Sequence, residues 1–528
     1  MKKRILWLSL ALVAGQASHS FAQGPSDALR YSRLQFGGPA RTQGIAGANV
    51  ALGADFGNLT SNPAGLGLFQ KSEVHLAPGI GIGQSDSRID GNTGPATNEN
   101  KNSFHIGSAG AVFANRKPDS EQGDWRGGAL ALGFTRLADF NVGTNYQGSF
   151  GLERGSYLQS LRPQAGVRDQ NYYNNLDAQV NANSYTSAIG LAYGAYLANI
   201  STYRRGALIG KDSAVVLRQQ GNTINQSGTV MNAGSMSQFD IGYGASYRDR
   251  LYIGGAIGFV SSNFIQTRSL TESDNDPATH FQSLTNTTEL RTKGSGVNAR
   301  LGLIVRALDN VRIGASVQTP TFMRLSDTFD ESLVGTFSAT GTDRVPRDLP
   351  VGTGPVVSRS SDFDYTLTTP FRANGGVAIT LGKNGFVTGD VEYVGYQQAR
   401  LNNDTNRTNS SNPFAQANAE VQRLYQNTVN LRFGAEGRFD VFRVRAGYAR
   451  YGDPYKADTN NERAQNFYTA GLGLRQGNFF LDGAGVYTTF NQGYTPYQVL
   501  DSKGAETAPL IKTNVSRYTT TVTAGLLF

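Results

Sequence analysis

Six arginines and three carboxylates stand at alternate positions of short apolar segments, and their types limit the chemistry on offer. Arg300, Arg306, Arg312, Arg432, Arg443 and Arg445 are set against Asp390, Glu392 and Glu436. A guanidinium fork grips a carboxylate at two points. The set therefore suits either the head group of an anionic ligand or a web of ion pairs that braces the molecule. Arg432, Glu436 and Arg443 are expected to lie close together across one hairpin. Catalysis has little to draw on. His75, His105 and His280 are scattered, with no Ser/His/Asp grouping and no H-E-x-x-H. There is no Cys for a thiolate site and no dense carboxylate cluster for calcium. No catalytic residue, metal or cofactor is expected.

The elements that must position these residues are strands. In 297–306 the apolar side is Val297, Ala299, Leu301, Leu303 and Val305, and the other carries Asn298, Arg300, Gly302, Ile304 and Arg306. Val311, Ile313, Ala315 and Val317 oppose Arg312, Gly314, Ser316 and Gln318 in the same way. So do Val429, Leu431, Phe433 and Ala435 against Asn430, Arg432, Gly434 and Glu436. Charge keeps to one face, and in a bilayer that face must be the lumen of a barrel. Tyr393, Tyr448, Tyr451, Phe371 and Phe490 fall near strand ends, where interfacial aromatics sit.

Tight turns are expected at 248–250, 308–310, 382–385, 438–440 and 475–478, each with Asn, Asp or Gly. Polar stretches at 265–293, 325–361, 401–426, 452–465 and 491–514 read as long loops. Short turns and long loops alternate, which is the layout of a transmembrane antiparallel β-barrel of about 14 strands. The fold class is all-β, and 64 Gly in 528 residues, beside 24 Tyr and 28 Phe, exceeds the roughly 7% Gly of soluble chains. A net charge of +8 spread along the chain gives no argument for nucleic acid.

Lys2, Lys3 and Arg4 before an apolar run at 5–15, with Ser20-Phe21-Ala22 before Gln23, have the layout of a signal peptide over residues 1–22. The chain is expected in the cell outer membrane as a monomer, among outer-membrane lipid. Its last strand, 516–528, alternates Tyr518, Thr520, Val522, Ala524, Leu526 and Phe528 on one face. It is expected to close the barrel against the strand near Val74 and, through Phe528, to engage the barrel-assembly machinery. Residues 71–528 form the barrel, with 151–235 as its largest insert. Within that insert, Ile189, Ala192, Tyr193, Tyr196 and Ile200 have helical spacing. An apolar helix there would either gather greasy ligands at the mouth or cap the barrel.

Fourteen strands enclose more space than side chains from the wall can fill. Residues 23–70 carry turn residues and apolar anchors without strand alternation, and they are expected to form a compact plug in the lumen. Gly44-Ile45-Ala46-Gly47-Ala48-Asn49-Val50-Ala51-Leu52, then Asn62-Pro63-Ala64-Gly65-Leu66, resembles the hatch of the FadL/TodX-type transporters of hydrophobic compounds. Ala138-Asp139-Phe140-Asn141, the run Gly314 to Thr321, Gly434-Ala435-Glu436 and the run Arg445 to Ala449 resemble that family's barrel. The matches follow in order along nearly the whole chain, which departs from the family in the insert and in long outer loops.

The resemblance implies passive uptake of long-chain fatty acids or aromatic hydrocarbons. It implies a lumenal pocket, a hatch that shifts with Asn62, Pro63, Ala64 and Gly65 at its gate, and sideways exit through a gap at a kinked third strand. Gly133, Arg136, Ala138 and Asp139 are the candidates for that gap. The alternation gives a separate hint. Continuing the phase of 129–135 would point Arg136 into lipid, and one extra residue there, a β-bulge, would restore the order; an Arg136 that snorkels to the interface is the alternative. Other readings remain open, namely a surface shuttle of a secretion system or a plugged porin for other solutes.

Overall fold

A computed structural model of the chain describes residues 24–528 apart from 93, 119, 122, 152–154, 162–167, 206–207, 217–222, 275, 341–351, 353, 404–412, 457–462, 498 and 500–508. The signal peptide expected over 1–22 lies outside the described residues. Fourteen antiparallel strands form a closed barrel. They are β1 (Glu73–Ile89), β2 (Thr97–Arg116), β3 (Trp125–Asp139), β4 (Thr223–Tyr247), β5 (Leu251–Ser273) and β6 (Phe281–Leu308). Then come β7 (Val311–Gln318, resumed at Phe322–Phe337), β8 (Ser361–Thr368 and Arg372–Thr380) and β9 (Gly385–Val394 and Arg400–Asn403). The ring is completed by β10 (Thr428–Phe439), β11 (Phe442–Tyr451), β12 (Gln465–Gln476), β13 (Phe479–Tyr494) and β14 (Ile511–Leu527). β14 returns to β1, with Leu526 opposite Val74.

The short turns form where expected. Arg248 and Asp249 both take φ of 52° and Asp440 takes 51°, the left-handed geometry that matches a hairpin's twist. The outer face is the apolar one. Val297, Leu301, Leu303, Ile313, Val317, Val429, Leu431 and Phe433 are all exposed, and the alternate residues are buried. Tyr448, Tyr468, Tyr487 and Tyr518 stand directly opposite one another on β11 to β14, with ring centroids 5.3, 6.3 and 4.5 Å apart, as an interfacial belt. Tyr451 and Phe490 do not belong to it. Tyr451 is buried against Arg432 and Phe490 lines an inner cavity, because each lies one position out of phase with the outer face.

Two expectations about loops are corrected. Residues 265–293 are largely strand, since β5 runs to Ser273 and β6 starts at Phe281, paired throughout. The Thr- and Ser-rich sequence there is polar because both faces leave the bilayer, which about ten residues suffice to cross. β4 likewise begins at Thr223, and β7 continues to Phe337. The helix expected to reach Ile200 covers only Ala188–Gly194. Tyr196 takes φ of 58°, and the chain turns into a strand, Ala198–Arg205, paired with Leu208–Val216. Ile189, Leu191 and Ala192 are buried in a core with Tyr157, Leu176, Leu197, Leu270 and Phe337, above the barrel at its long-loop end.

That cap buries two carboxylates. Glu272 accepts from the Tyr157 backbone N–H at 2.9 Å and from Gln226 Nε2 at 2.8 Å. Glu331 accepts from Asn286 Nδ2 at 2.8 Å and from the Tyr157 hydroxyl at 3.3 Å. Burial pushes the Glu272 carboxyl up to about 7 and raises Glu331 as well. A carboxyl raised in the folded state stabilises the fold fully below its ordinary value of 4.5, and that contribution is lost as pH rises through about 7. Hydrogen-exchange protection across 157–160 and 170–200, taken relative to the intrinsic base-catalysed rate, is therefore expected to be lower at pH 8 than at pH 5.5, and Glu272→Gln is expected to remove most of the difference. Equal protection of the unaltered protein at both pH values would contradict this.

Candidate functional site

The N-terminal segment is built from short turns because its glycines, prolines and small residues cannot sustain long elements. It contains helices Pro25–Arg30, Ala40–Gly44 and Asn58–Ser61 and a 3-10 turn Pro63–Leu68. Most of its residues are buried, and its polar contacts run to the inner faces of strands all round the ring. Asp390 accepts from the Val50 N–H at 2.9 Å, and Arg312 donates to Leu52 O at 2.6 Å. Ser316 donates to Ser61 O at 2.6 Å, Thr469 to Gly44 O at 2.9 Å, and Arg372 to Ser32 O. Wall side chains thus hold the backbone of the segment. Gly314 of β7 shows why the wall is glycine-rich there, since a Cβ would stand 2.4 Å from Val50 O.

Asn62 anchors the gate candidates. It is fully buried, its Nδ2 donates to Val50 O at 2.7 Å and Leu303 O at 3.1 Å, and its Oδ1 accepts from Ala64 N. Pro63, Ala64 and Gly65 follow in the capped 3-10 turn, and the Gly65 carbonyl accepts from Ala54 N at 3.0 Å.

The charged candidates separate into clusters. Arg300 donates to Asp240 at 2.7 Å and to Gln318 at 3.1 Å. Arg432 and Arg372 share Glu392, at 2.6 and 3.0 Å. Arg445 bridges Glu436 at 2.7 Å and Asp482 at 2.6 Å, and Arg41 of the N-terminal segment reaches Glu436 at 3.5 Å and Asp55 at 3.3 Å. Arg443 does not join Glu436 and Arg432. It is at the turn, where it donates to Phe442 O at 2.8 Å and to Asp440 O at 2.5 Å. Arg306 is also at a turn, 3.5 Å from Asp309. Asp240, Asp482, Arg372 and Arg517 were missed among the site residues, although each sits at an inward position that alternation along its own strand points to.

The third strand is irregular where expected. Arg136 pairs with Ser237 and Ala138 with Met236, so Leu137 is an extra, bulged residue. The bulge turns Arg136 inward, where it donates to Asp139 at 3.1 Å, and Arg517 lies 3.5 Å from the same carboxylate. Gly133 lies below the bulge in intact ladder, opposite Gly110. Between β2 and β3 the ladder runs from Arg116–Gly127 to Ser108–Thr135 and ends there, while β2 extends on towards the long-loop end as far as Thr97, paired with β1 alone. Beyond Asp139 the chain continues as an arm, Val142–Gly151, that pairs with β4, and the carbonyl of Gly143 accepts from the inward Ser85 hydroxyl of β1 at 2.5 Å.

Two cavities, each of about 70 Å³, flank the segment Gln35–Gly37. One lies behind the end of the β2–β3 ladder, lined by Phe36, Leu137, Ala138, Phe467, Val486 and Phe490 together with His105, Arg136, Asp139 and Arg517. The other is polar, lined by Thr42, Asn49, Arg300, Arg372, Glu392 and Arg432 among others. Both amide atoms of the buried Asn49 side chain lack a partner among the described residues. The divider is tied to the bulge by Gln35 N donating to Leu137 O at 2.8 Å. Gly37 rests so close that a Cβ would stand 2.1 Å from Arg136 O.

No protein-family model matches the sequence, and no curated protein is similar to it. Solved structures are similar. The crystal structure of a Pseudomonas aeruginosa FadL homologue matches 93% of this chain and 98% of its own, at 10% identity and a TM-score of 0.52. The P. putida toluene transporter TodX matches 93% and 99% at 12% identity and a TM-score of 0.49. The Ralstonia pickettii toluene transporter TbuX matches 93% and 99% at 12% identity and 0.46. The likeness to the FadL homologue is one of fold, and the resemblance read from the sequence holds at that level.

Removing Arg445 would leave Glu436 without its closest partner and Asp482 facing no guanidinium at 2.6 Å. Arg445→Met is expected to cost about 3–5 kcal/mol, the usual penalty for an uncompensated buried charge. Arg443→Gln, at an exposed turn, should stay within about 0.5 kcal/mol. Urea unfolding of both variants in lipid vesicles measures the contrast, and similar costs would refute this assignment of partners.

Proposed function

We propose that the protein is an outer-membrane channel for passive uptake of hydrophobic small molecules, with its long-loop end outside the cell. The observation that carries this reading is the ladder between β2 and β3 that stops at Ser108–Thr135, with a cavity directly behind it that presents Phe36, Leu137, Phe467, Val486 and Phe490 beside its polar groups. In this reading, a ligand gathered in the lumen reaches that cavity, the Gln35–Gly37 divider shifts, and the ligand leaves sideways into the bilayer beside Leu137 and Ala138. No energy source is needed. Each methylene that passes from water to hydrocarbon gains about 0.8 kcal/mol, so a long acyl chain or an aromatic ring moves downhill. The N-terminal segment acts as the hatch, with Asn62 to Gly65 as its seat. The ion pairs serve chiefly as bracing, since Arg300, Arg432 and Arg445 each already face a carboxylate. On the FadL/TodX resemblance of the sequence, its substrates are long-chain fatty acids or aromatic hydrocarbons.

A disulfide between Gln35→Cys and Leu137→Cys tests both the channel and the shift. The chain has no other Cys, and the bond from Gln35 N to Leu137 O puts the two residues side by side. Cells lacking the native gene and carrying the double variant should take up radiolabelled oleate or toluene under reduction. Oxidation should lower uptake about tenfold, and reductant should restore it. Full uptake in the oxidised form would overturn the movement and sideways exit, and uptake independent of the gene would overturn the channel itself.

A further inference from the structure

We infer that the cavity behind the end of the β2–β3 ladder is a binding site for a hydrophobic molecule that carries one carboxylate. The observation is a surplus of positive charge in an enclosed space. The ionisable groups that line the cavity are Arg136, Arg517, Asp139 and His105. Both guanidinium groups share one carboxylate, with Arg136 Nη2 at 3.1 Å and Arg517 Nη1 at 3.5 Å from Asp139. Asp139 also accepts from the Ser103 hydroxyl at 3.3 Å and from Asn141 N and Nδ2 at 2.8 and 2.9 Å. Two cations thus face one anion. A histidine adds no negative charge, so the lining keeps at least one net positive charge. Lys101 and Glu99, the next ionisable residues on that face of β2, are of opposite sign. The polar cavity beyond the divider is balanced by comparison. Its Arg300, Arg372 and Arg432 are matched by Asp240, Glu392 and Asp390, the last standing opposite Arg432.

A buried charge without a counter-ion is costly, and a ligand carboxylate supplies one. The hydrogen bonding of the cluster is also incomplete. Arg136 Nε and His105 Nδ1 have no partner among the described residues. A planar guanidinium fork matches a carboxylate in shape as well as in charge. The cavity, about 70 Å³, receives the head group and the carbons next to it. Phe36, Leu137, Phe467, Val486 and Phe490 stand on the same lining, so an apolar body behind the head group meets side chains rather than water. A neutral hydrocarbon in the same place leaves the surplus charge both dry and unpaired. The inference deepens the channel reading, and it rests on that reading only for the route by which the ligand arrives.

The test measures binding to the full chain in lipid nanodiscs, with binding to empty nanodiscs subtracted. The probes are two pairs of similar shape, octanoate with octanol and phenylacetate with phenylethanol. The unaltered protein should bind the acid of at least one pair about tenfold more tightly than its alcohol, and the pair that shows it tells an alkyl from an aryl body. Arg517→Gln and Arg136→Gln should each remove that preference, and Arg517→Lys should keep it. Asp139→Asn should bind the acid about tenfold more tightly still, because both guanidinium groups are then released to the ligand; a cluster that only braced the wall would lose affinity. A heat-modifiable band on gels establishes that each barrel is folded. Equal binding of acid and alcohol in both pairs, an unchanged preference in the two glutamine variants, or weaker acid binding by Asp139→Asn would each overturn the inference. Uptake by cells that does not depend on the gene, beside an intact preference, would overturn the channel and leave this site standing.

Discussion

Hydrocarbon offers no hydrogen bonds, so every backbone N–H and C=O of a membrane-spanning strand must find a partner within the protein. The architecture follows from that demand. Closure of β14 on β1 removes the free edges. Where the ladder between β2 and β3 stops, the freed backbone is satisfied by the enclosed segment, by an inward side chain of β14 and by β4. Gln35 supplies a donor to the Leu137 carbonyl, Arg517 donates to the carbonyls of Asp139 and Asn141, and Gly234 O accepts from Phe140 N. The wall is therefore incomplete without the segment it encloses. A segment that only filled space could be removed without consequence, whereas this one completes the hydrogen bonding of the irregular strand.

The charged groups in the lumen answer the same demand from the other side. A filled lumen excludes water, so wall side chains must satisfy the segment's backbone. Asp390, Arg312, Ser316, Thr469 and Arg372 each bond a main-chain atom of the segment. Because these contacts read backbone, they accept any sequence that can follow the same path. They are also replaceable by water, one at a time, which keeps the cost of shifting such a segment far below that of breaking a packed hydrophobic core.

This explains what the sequence showed and what it did not. The strands and their faces were legible because alternation with a period of two is a direct record of which side meets lipid, and Leu137 revealed itself as a break in that record. The partners of the charges were less legible. Arg432 and Arg443 fall on one hairpin, but an inward residue has neighbours on both sides, and Arg432 turns to Glu392 on β9. Arg443 is too near the turn to face the lumen. The ends of the long strands were hidden for a related reason, since Thr267 and Thr285 serve a solvated strand as well as a loop. The seat of the N-terminal segment could not be read, because many of its contacts with the wall are to its main-chain atoms.

The two cavities differ in what they could receive. They have similar size and share the divider Gln35–Gly37, and both are lined by charged groups, but only the first also presents Phe467, Val486 and Phe490. In the proposed channel, a greasy molecule is better received on the first side, where these aromatic and aliphatic groups replace water, than on the second. The first side is also the one whose wall has lost its ladder. The cavity and the stretch of β3 unpaired with β2 thus meet near a single inserted residue, Leu137, around which β3 pairs with β4 alone.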